Sequence, residues 1–368
     1  MRFEIPNALL NQGLEAGLFS AAAFAIAFRG EIAAAGTFGR TSFDDDASSI
    51  GPGTLFDVAS LTKPVVTASA TLRLVEEGRL TLNQSVGKLL EPRFGMLDRL
   101  VSVEVHHLLT HTSGLPPIPR TPDISIETAD PSSALELALS TPLLREPGLA
   151  YTYSDTGYML LWEAASLAAE EPLADYAARN IFAPLGMNSS LFCPTTTDIA
   201  KTDPDVPAGI VHDPRARELS GIAGHAGLFS TATDLLRMAE TIRLGGAPIL
   251  SRASVARMSA SQLPISIGAM SYGWFCAGND FLPRGDLFSD EAFGHSGFTG
   301  CAMLIDPVYE ASVVLLTNRV LNTSVDGVPF LKLRRQWLNA VAAAVTSDIG
   351  QHTGGGCAYI AGAVLTSL

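Results

Sequence analysis

The spacing of apolar residues changes several times along the chain, and each change marks an element. Residues 5–18 carry apolar side chains at helical spacing. Residues 21–28 are then uninterruptedly apolar, turn at Arg29-Gly30-Glu31 and continue as Ile32-Ala33-Ala34-Ala35, which predicts a β-hairpin over 21–38. The Asp-, Ser- and Gly-rich stretch 41–53 predicts a loop. From 64 to 77 the pattern is helical with no polar face, through Val65, Val66, Ala68, Ala70, Leu72, Leu74 and Val75. Such a helix is buried on all sides, and Gly78 supplies its stop. Short helical patterns follow at 104–110, 133–140, 154–169 and 233–244, with loops at 113–131 and 193–221. Strand-like segments return at 272–276, 301–305 and 311–317, before a closing helix over 330–345.

Strands at both ends with helices between predict an α/β (α+β) fold. One antiparallel sheet is assembled from the two termini and flanked by the terminal helices, with a mostly helical lobe inserted. The expected domain covers 1–345, its sheet lobe about 1–60 and 270–345 and its helical lobe about 61–269. The Gly-led tail 346–368 is expected to be disordered.

Composition narrows the function. With 24 basic against 37 acidic residues the formal charge is -13, and no Lys/Arg run exists to neutralise phosphates, so nucleic acid is excluded as a partner. No secretory pattern opens the sequence, and the apolar run 21–28 is too short to span a bilayer; a cytoplasmic protein without stable membrane association is expected. Cys193, Cys276, Cys301 and Cys357 are scattered without metal-ligand spacing and read as free thiols.

The chemistry gathers in three places. A strand-like run Leu55-Phe56-Asp57-Val58 leads directly into Ser60-Leu61-Thr62-Lys63 at the head of the buried helix. Three residues apart on a helix, Ser60 and Lys63 are neighbours. Burial at the positive helix end is expected to push Lys63 toward its neutral form, able to take the serine proton. Tyr153-Ser154-Asp155 opens a second helical pattern, where a phenol can relay protons. Gly294-His295-Ser296-Gly297-Phe298-Thr299-Gly300 precedes a strand, and its glycines let a substrate approach backbone N–H groups.

In this order the three motifs resemble the serine β-lactamase and penicillin-binding protein superfamily: Ser-x-x-Lys, a Tyr-x-Asn element and a Lys/His-Thr/Ser-Gly element. The likeness is nearest the class C β-lactamase, family VIII esterase and D-aminopeptidase branch. Leu108-Leu109-Thr110-His111-Thr112-Ser113-Gly114-Leu115, Gly224-His225-Ala226-Gly227-Leu228-Phe229-Ser230-Thr231 and Leu315-Leu316-Thr317-Asn318 add to it. The resemblance implies Ser60 as acylated nucleophile, Lys63 as its proton acceptor and Tyr153 as catalytic tyrosine. It puts His295, Ser296 and Gly297 in the third motif and an oxyanion hole at the N–H groups of Ser60 and Phe298. It implies no metal and no organic cofactor.

Two residues depart from the lactamase pattern. Asp155 replaces the asparagine, exchanging an amide for an acceptor-only carboxylate. His295 replaces the lysine, exchanging a fixed cation for a group that titrates near neutral pH. Both changes predict poor handling of an anionic β-lactam such as nitrocefin. Val211-His212-Asp213 with the Gly-His-Ala-Gly run resembles a subgroup acting on cell-wall peptides, including N-acetylmuramoyl-L-alanine amidases; His212, Asp213 and His225 either line the site or fix its loops. His106, His107 and His111 are expected in a structural helix and loop, with no carboxylate or cysteine completing a ligand set. Asp44, Asp45 and Asp46 read as a solvated loop, and Trp162, Trp274 and Trp337 as core.

The expected protein is therefore a serine hydrolase of esters or amides, acting through an acyl-Ser60 intermediate on a small molecule or a cell-wall-derived peptide. A β-lactamase or D-Ala-D-Ala carboxypeptidase is the alternative, and a non-catalytic binding protein of the same fold the third. The sequence does not specify oligomeric state.

Overall fold

The computed structural model of the protein describes residues 3–119 and 131–347. Most of the expected loop at 113–131, and the tail from 348 with Cys357, lie outside the described residues. In chain order the strands are β1 (Ala21–Phe28), β2 (Glu31–Gly39), β3 (Leu55–Asp57), β4 (Leu191–Phe192), β5 (Ile199–Ala200), β6 (Leu228–Ser230), β7 (Phe293–Ser296), β8 (Ala302–Asp306) and β9 (Ala311–Thr317).

Five of them form an antiparallel sheet in the order β2-β1-β9-β8-β7. The β1–β2 turn places Arg29 at φ 53° and Gly30 at φ 84°, the doubly positive backbone that a two-residue hairpin needs. Alternation along β1 explains how both faces of the sheet are covered. Ala22, Phe24 and Ile26 join one apolar cluster with Leu10, Trp337 and Val341 of the two terminal helices, Glu4–Glu15 and Gly327–Thr346. Ala21, Ala23, Ala25 and Ala27 point the other way, and their small side chains let the helix Ala232–Arg243 pack close. Burying a ring such as Phe24 stabilises by roughly 1.5–3 kcal/mol, so the bulky face anchors the terminal helices.

Asn318, just after β9, joins the chain's distant parts. Its Oδ1 accepts from Ser20 N (3.1 Å) and Ala21 N (2.9 Å), while Nδ2 donates to Ser20 Oγ and Lys201 O, both at 2.8 Å.

Two features differ from expectation. A second sheet, ordered β4-β6-β3-β5, was not anticipated; its strands of two or three residues are too short to show a period. Residues 272–276 form no strand, only single bridges from Phe275 to Met270 and Gly294. Gly273, at φ 90°, breaks the extended run, and a Cβ there would stand 2.6 Å from Ala68 Cβ.

The central helix begins as a π-type turn, Lys63–Ala68, and continues as Ser69–Glu76. Its polar side chains are satisfied within the core: Ser69 Oγ donates to Pro64 O and Thr67 Oγ1 to Gly224 O, each at 2.7 Å. Gly78, at φ 72°, follows its last turn as expected. Trp274 and Trp337 are fully buried and Trp162 nearly so, all in the core.

Candidate active site

Ser60 sits on a 3-10 turn, Ala59–Leu61, between β3 and the central helix. The preceding residue, Ala59, holds φ 48°, a left-handed backbone that costs a non-glycine residue energy and needs external support. Asp57 supplies part of it by accepting from Ala59 N at 2.9 Å. The third motif supplies the rest. Thr299 Oγ1 donates to Asp57 O at 2.8 Å, and Gly297 lies so near the turn that a Cβ would stand 2.4 Å from Val58 O. Burial pushes the Asp57 carboxyl up to about 6, against the pull of N–H donors from His212 and Ala59.

Lys63 is fully buried; its ammonium donates to Ser60 Oγ and His225 O, both at 3.0 Å, and forms an ion pair with Asp155, whose Oδ1 lies 2.7 Å away. Burial works to lower its pKa, but the Asp155 carboxylate and Tyr153 outweigh burial and hold it above the ordinary value. This corrects the expectation of a lysine pushed toward neutrality. Burial alone gives the opposite sign because the counter-ion stands on another helix. The Asp155 carboxylate is thereby engaged with Lys63.

Asp155 is placed by helix capping. Ser154 Oγ caps the helix Asp155–Ala169 by accepting from Gly157 N at 3.0 Å, which sets Asp155 in the first turn, where a carboxylate is favoured. Tyr153 precedes the cap, with Lys63 Nζ 4.8 Å from its ring centre. Burial raises the Tyr153 phenol and Asp155 adds to that, whereas Lys63 and hydrogen bonding toward Lys63 and Ser60 work in the other direction and do not overcome it. The resting phenol therefore carries its proton. His111 supports this corner, a role the sequence reading missed. Held at φ 57°, it accepts from Ser154 N at 3.0 Å through Nδ1, and its ring centre lies 4.5 Å from Tyr153 and 4.9 Å from Tyr158. The signal was its place in the 108–115 run.

The third motif contributes His295 and Ser296 to β7, a strand at the sheet edge, just before β8. His295 is fully buried and stacks on Phe275, ring centres 4.2 Å apart and planes at 16°. Nδ1 donates to Ser296 O at 2.9 Å, and Nε2 has no hydrogen-bond partner among the described residues. Burial, with Lys63 nearby, pushes the imidazole well below 6.5. The expected titrating cation is therefore a neutral ring. Ser296 Oγ donates to Phe281 O at 3.4 Å. Phe298 is 62% exposed, and its N–H makes no hydrogen bond among the described residues. Its ring centre lies 5.6 Å from that of His212 and 4.9 Å from the Arg319 guanidinium carbon.

The remaining histidines separate into two groups. His212 N donates to Asp57 Oδ2 at 2.7 Å; Asp213 Oδ1 accepts from His225 Nε2 at 2.9 Å and caps the short helix Pro214–Glu218. His106 and His107 lie elsewhere, on the helix Val105–Leu109, and a carboxylate does stand beside them: Glu104, with ligand atoms of all three within 4.8 Å. That corrects the expectation that no carboxylate joins them. The cluster's inward nitrogens are engaged, His107 Nδ1 accepting from Glu104 N at 3.0 Å and His106 Nδ1 lying 3.1 Å from Leu82 O.

Comparison with known proteins follows this geometry. A family model described as Beta-lactamase matches residues 7–333. A protein of Escherichia coli K12, provisionally named D-alanyl-D-alanine carboxypeptidase, is 30% identical over 305 residues, covering 73% of this chain and 69% of its own. EstCE1, described as a hydrolase with promiscuous acyltransferase activity, shares the fold with a TM-score of 0.76 at 22% identity, over 93% of this chain and 98% of its own. An octameric penicillin-binding protein homologue from Pyrococcus abyssi does so with a TM-score of 0.73 at 23% identity, over 95% and 78%.

Proposed function

This chain belongs to the Beta-lactamase family and is a serine hydrolase; on that premise we propose that Ser60 is its nucleophile, Lys63 with Asp155 its proton acceptor and Tyr153 the donor to the leaving group. The observation that carries this reading is the convergence of Lys63 Nζ on Ser60 Oγ and Asp155 Oδ1 at 3.0 and 2.7 Å.

In the resting site Lys63 is an ammonium. It passes one proton to Asp155 and, turning its freed lone pair to Ser60, takes the hydroxyl proton as Oγ attacks a carbonyl carbon. The oxyanion is received by the N–H groups of Ser60 and Phe298. When the tetrahedral intermediate collapses, Tyr153 protonates the departing oxygen or nitrogen and is recharged by Lys63, which recovers its own proton from Asp155. The acyl-enzyme thus regains the resting protonation, with the serine proton on the leaving group. Water then repeats the sequence and releases the acid.

Neutral His295 offers no charge to an anionic group beside β7, which favours uncharged esters or amides as substrates. The names of the relatives favour a second reading, a D-alanyl-D-alanine carboxypeptidase; there Arg319, beside Phe298, is the cation available to a terminal carboxylate. Among the described residues no helix is long and apolar enough to cross a membrane, and we propose a cytoplasmic enzyme.

An alkyl fluorophosphonate should label Ser60, detected by peptide mass, and Ser60→Ala should abolish both labelling and p-nitrophenyl butyrate turnover while leaving the melting temperature unchanged. Retained turnover in folded Ser60→Ala would sink the assignment. Nitrocefin and a D-Ala-D-Ala peptide, assayed alongside, separate the two substrate readings.

A further inference from the structure

We propose that Asp213 and His225 are positioning residues that aim Lys63 at Ser60; this rests on reading Ser60 and Lys63 as nucleophile and proton acceptor. Lys63 Nζ has three directions in which to hold a proton or a lone pair. One is spent on a hydrogen bond to His225 O and another on Ser60 Oγ, both at 3.0 Å, while the Asp155 carboxylate holds the ammonium as an ion pair, Oδ1 2.7 Å away. Fixing the His225 carbonyl therefore fixes the reactive direction of the amine.

Nothing regular in the backbone holds that carbonyl. Residues 222–227 belong to no helix or strand, and Gly227 adopts φ 115°. Two contacts hold it. On one side Thr67 Oγ1 donates to the neighbouring Gly224 O at 2.7 Å. On the other the His225 side chain, 1% exposed, engages Asp213 through Nε2 at 2.9 Å. Its Nδ1 is buried without a hydrogen-bond partner among the described residues. A half-satisfied buried ring contributes less to stability than an apolar side chain of similar volume. Stability alone thus gives no reason for histidine here.

Asp213 is itself immobilised, its Oδ1 accepting from Arg215 N (3.0 Å) and Ala216 N (2.8 Å). The preceding residue reaches the other half of the site. His212 N donates to Asp57 Oδ2, and Asp57 Oδ1 accepts from Ala59 N, which holds the turn bearing Ser60. The dipeptide His212-Asp213 thus ties the nucleophile's turn to the acceptor of the lysine and keeps the two in register.

The test uses His225→Ala, His225→Gln, Asp213→Ser and the double variant His225→Ala with Asp213→Ser in the full chain. Serine retains the helix cap but is too short to reach His225; glutamine can return a donor near the position of Nε2. Misaligned reacting groups lose on the order of a hundredfold, so His225→Ala and Asp213→Ser should each slow fluorophosphonate labelling of Ser60 and kcat on p-nitrophenyl butyrate by roughly ten- to a hundredfold. KM should stay nearly constant. The double variant should be no slower than the slower single one, because both changes break the same link. His225→Gln should recover much of the loss.

Wild-type labelling rates in folded single variants would overturn the proposal. So would multiplying losses in the double variant, a glutamine no better than alanine, or loss of the fold in both single variants, which would make the pair structural. Wild-type protein that fails to label at Ser60 would instead sink the reading on which the proposal rests.

Discussion

The two walls beside Ser60 handle buried polar groups in opposite ways. On the helical wall a fully buried amine stays charged, because the Asp155 carboxylate lies 2.7 Å away and Ser60 and His225 accept hydrogen bonds from it. On the sheet wall a fully buried imidazole with no acid partner is held neutral, stacked on Phe275. Burial penalises charge in both places; on the helical wall a carboxylate and a phenol oppose it, and on the sheet wall the nearby Lys63 charge adds to it. A motif lysine or histidine therefore does not state its charge until its neighbours are known.

The largest test removes the carboxylate. Asp155→Ala leaves Lys63 buried without its counter-ion, which should cost about 3 kcal/mol of stability in denaturant titration, with turnover lost at least to the hundredfold level. Unchanged stability would mean that the helical wall does not depend on the ion pair.

Asp57 extends the comparison to a buried carboxyl with N–H donors but no ion-pair partner. Its folded value, about 6, lies above the ordinary 3.8. Between these values the folded protein keeps a proton that the unfolded chain has released, so this group's contribution to stability is fully present below the lower value and falls as pH rises through the window. The loss is about 3 kcal/mol by pH 7. Asp57→Asn should cancel the trend, so that stability of the variant minus wild type climbs between pH 4 and pH 7. A flat difference would show that Asp57 is not penalised by burial.

A smaller effect is expected on the sheet wall. Because His295 is neutral throughout the working range, His295→Gln should leave the pH profile of kcat/KM unchanged in shape between pH 6 and pH 8. A limb that disappears in the variant would show that the ring titrates, and would erase the contrast between the walls. Phe298→Ala should change stability least, within about 0.5 kcal/mol, since the side chain is 62% exposed. Its effect should fall on KM for esters with apolar acyl groups.

Much of this architecture was legible in the chain. The hairpin, the all-apolar central helix and β9 each extend over enough residues for their period to show. The three motifs sit where their strand-to-helix and loop-to-strand transitions put them. Legibility failed where structure depends on what arrives from elsewhere. β3 was legible as the run before Ser60, but the other strands of its sheet, β4 to β6, two or three residues each, have no period of their own. Burial and the helix end alone point Lys63 toward neutrality, and the counter-ion that reverses this, Asp155, stands 92 residues later in the numbering. His111 was read as loop, and only its Nδ1 contact with Ser154 shows it supporting the catalytic corner.

Asn318, whose amide ties Ser20 and Ala21 to the end of β9, also bears on the protein's synthesis. A ribosome delivers Ser60, Lys63 and the β1–β2 hairpin early, but β1 gains its second neighbour only when residues 311–317 emerge, and Phe298 arrives shortly before them. Until then the nascent chain carries an apolar hairpin with one open edge, and before residue 298 emerges it lacks an N–H proposed to bind the oxyanion. On that proposal a newly made enzyme of this design cannot acylate itself on a passing ester before it is nearly whole. For the same stretch of time it relies on chaperones, or on speed, to keep β1 from pairing with the wrong edge.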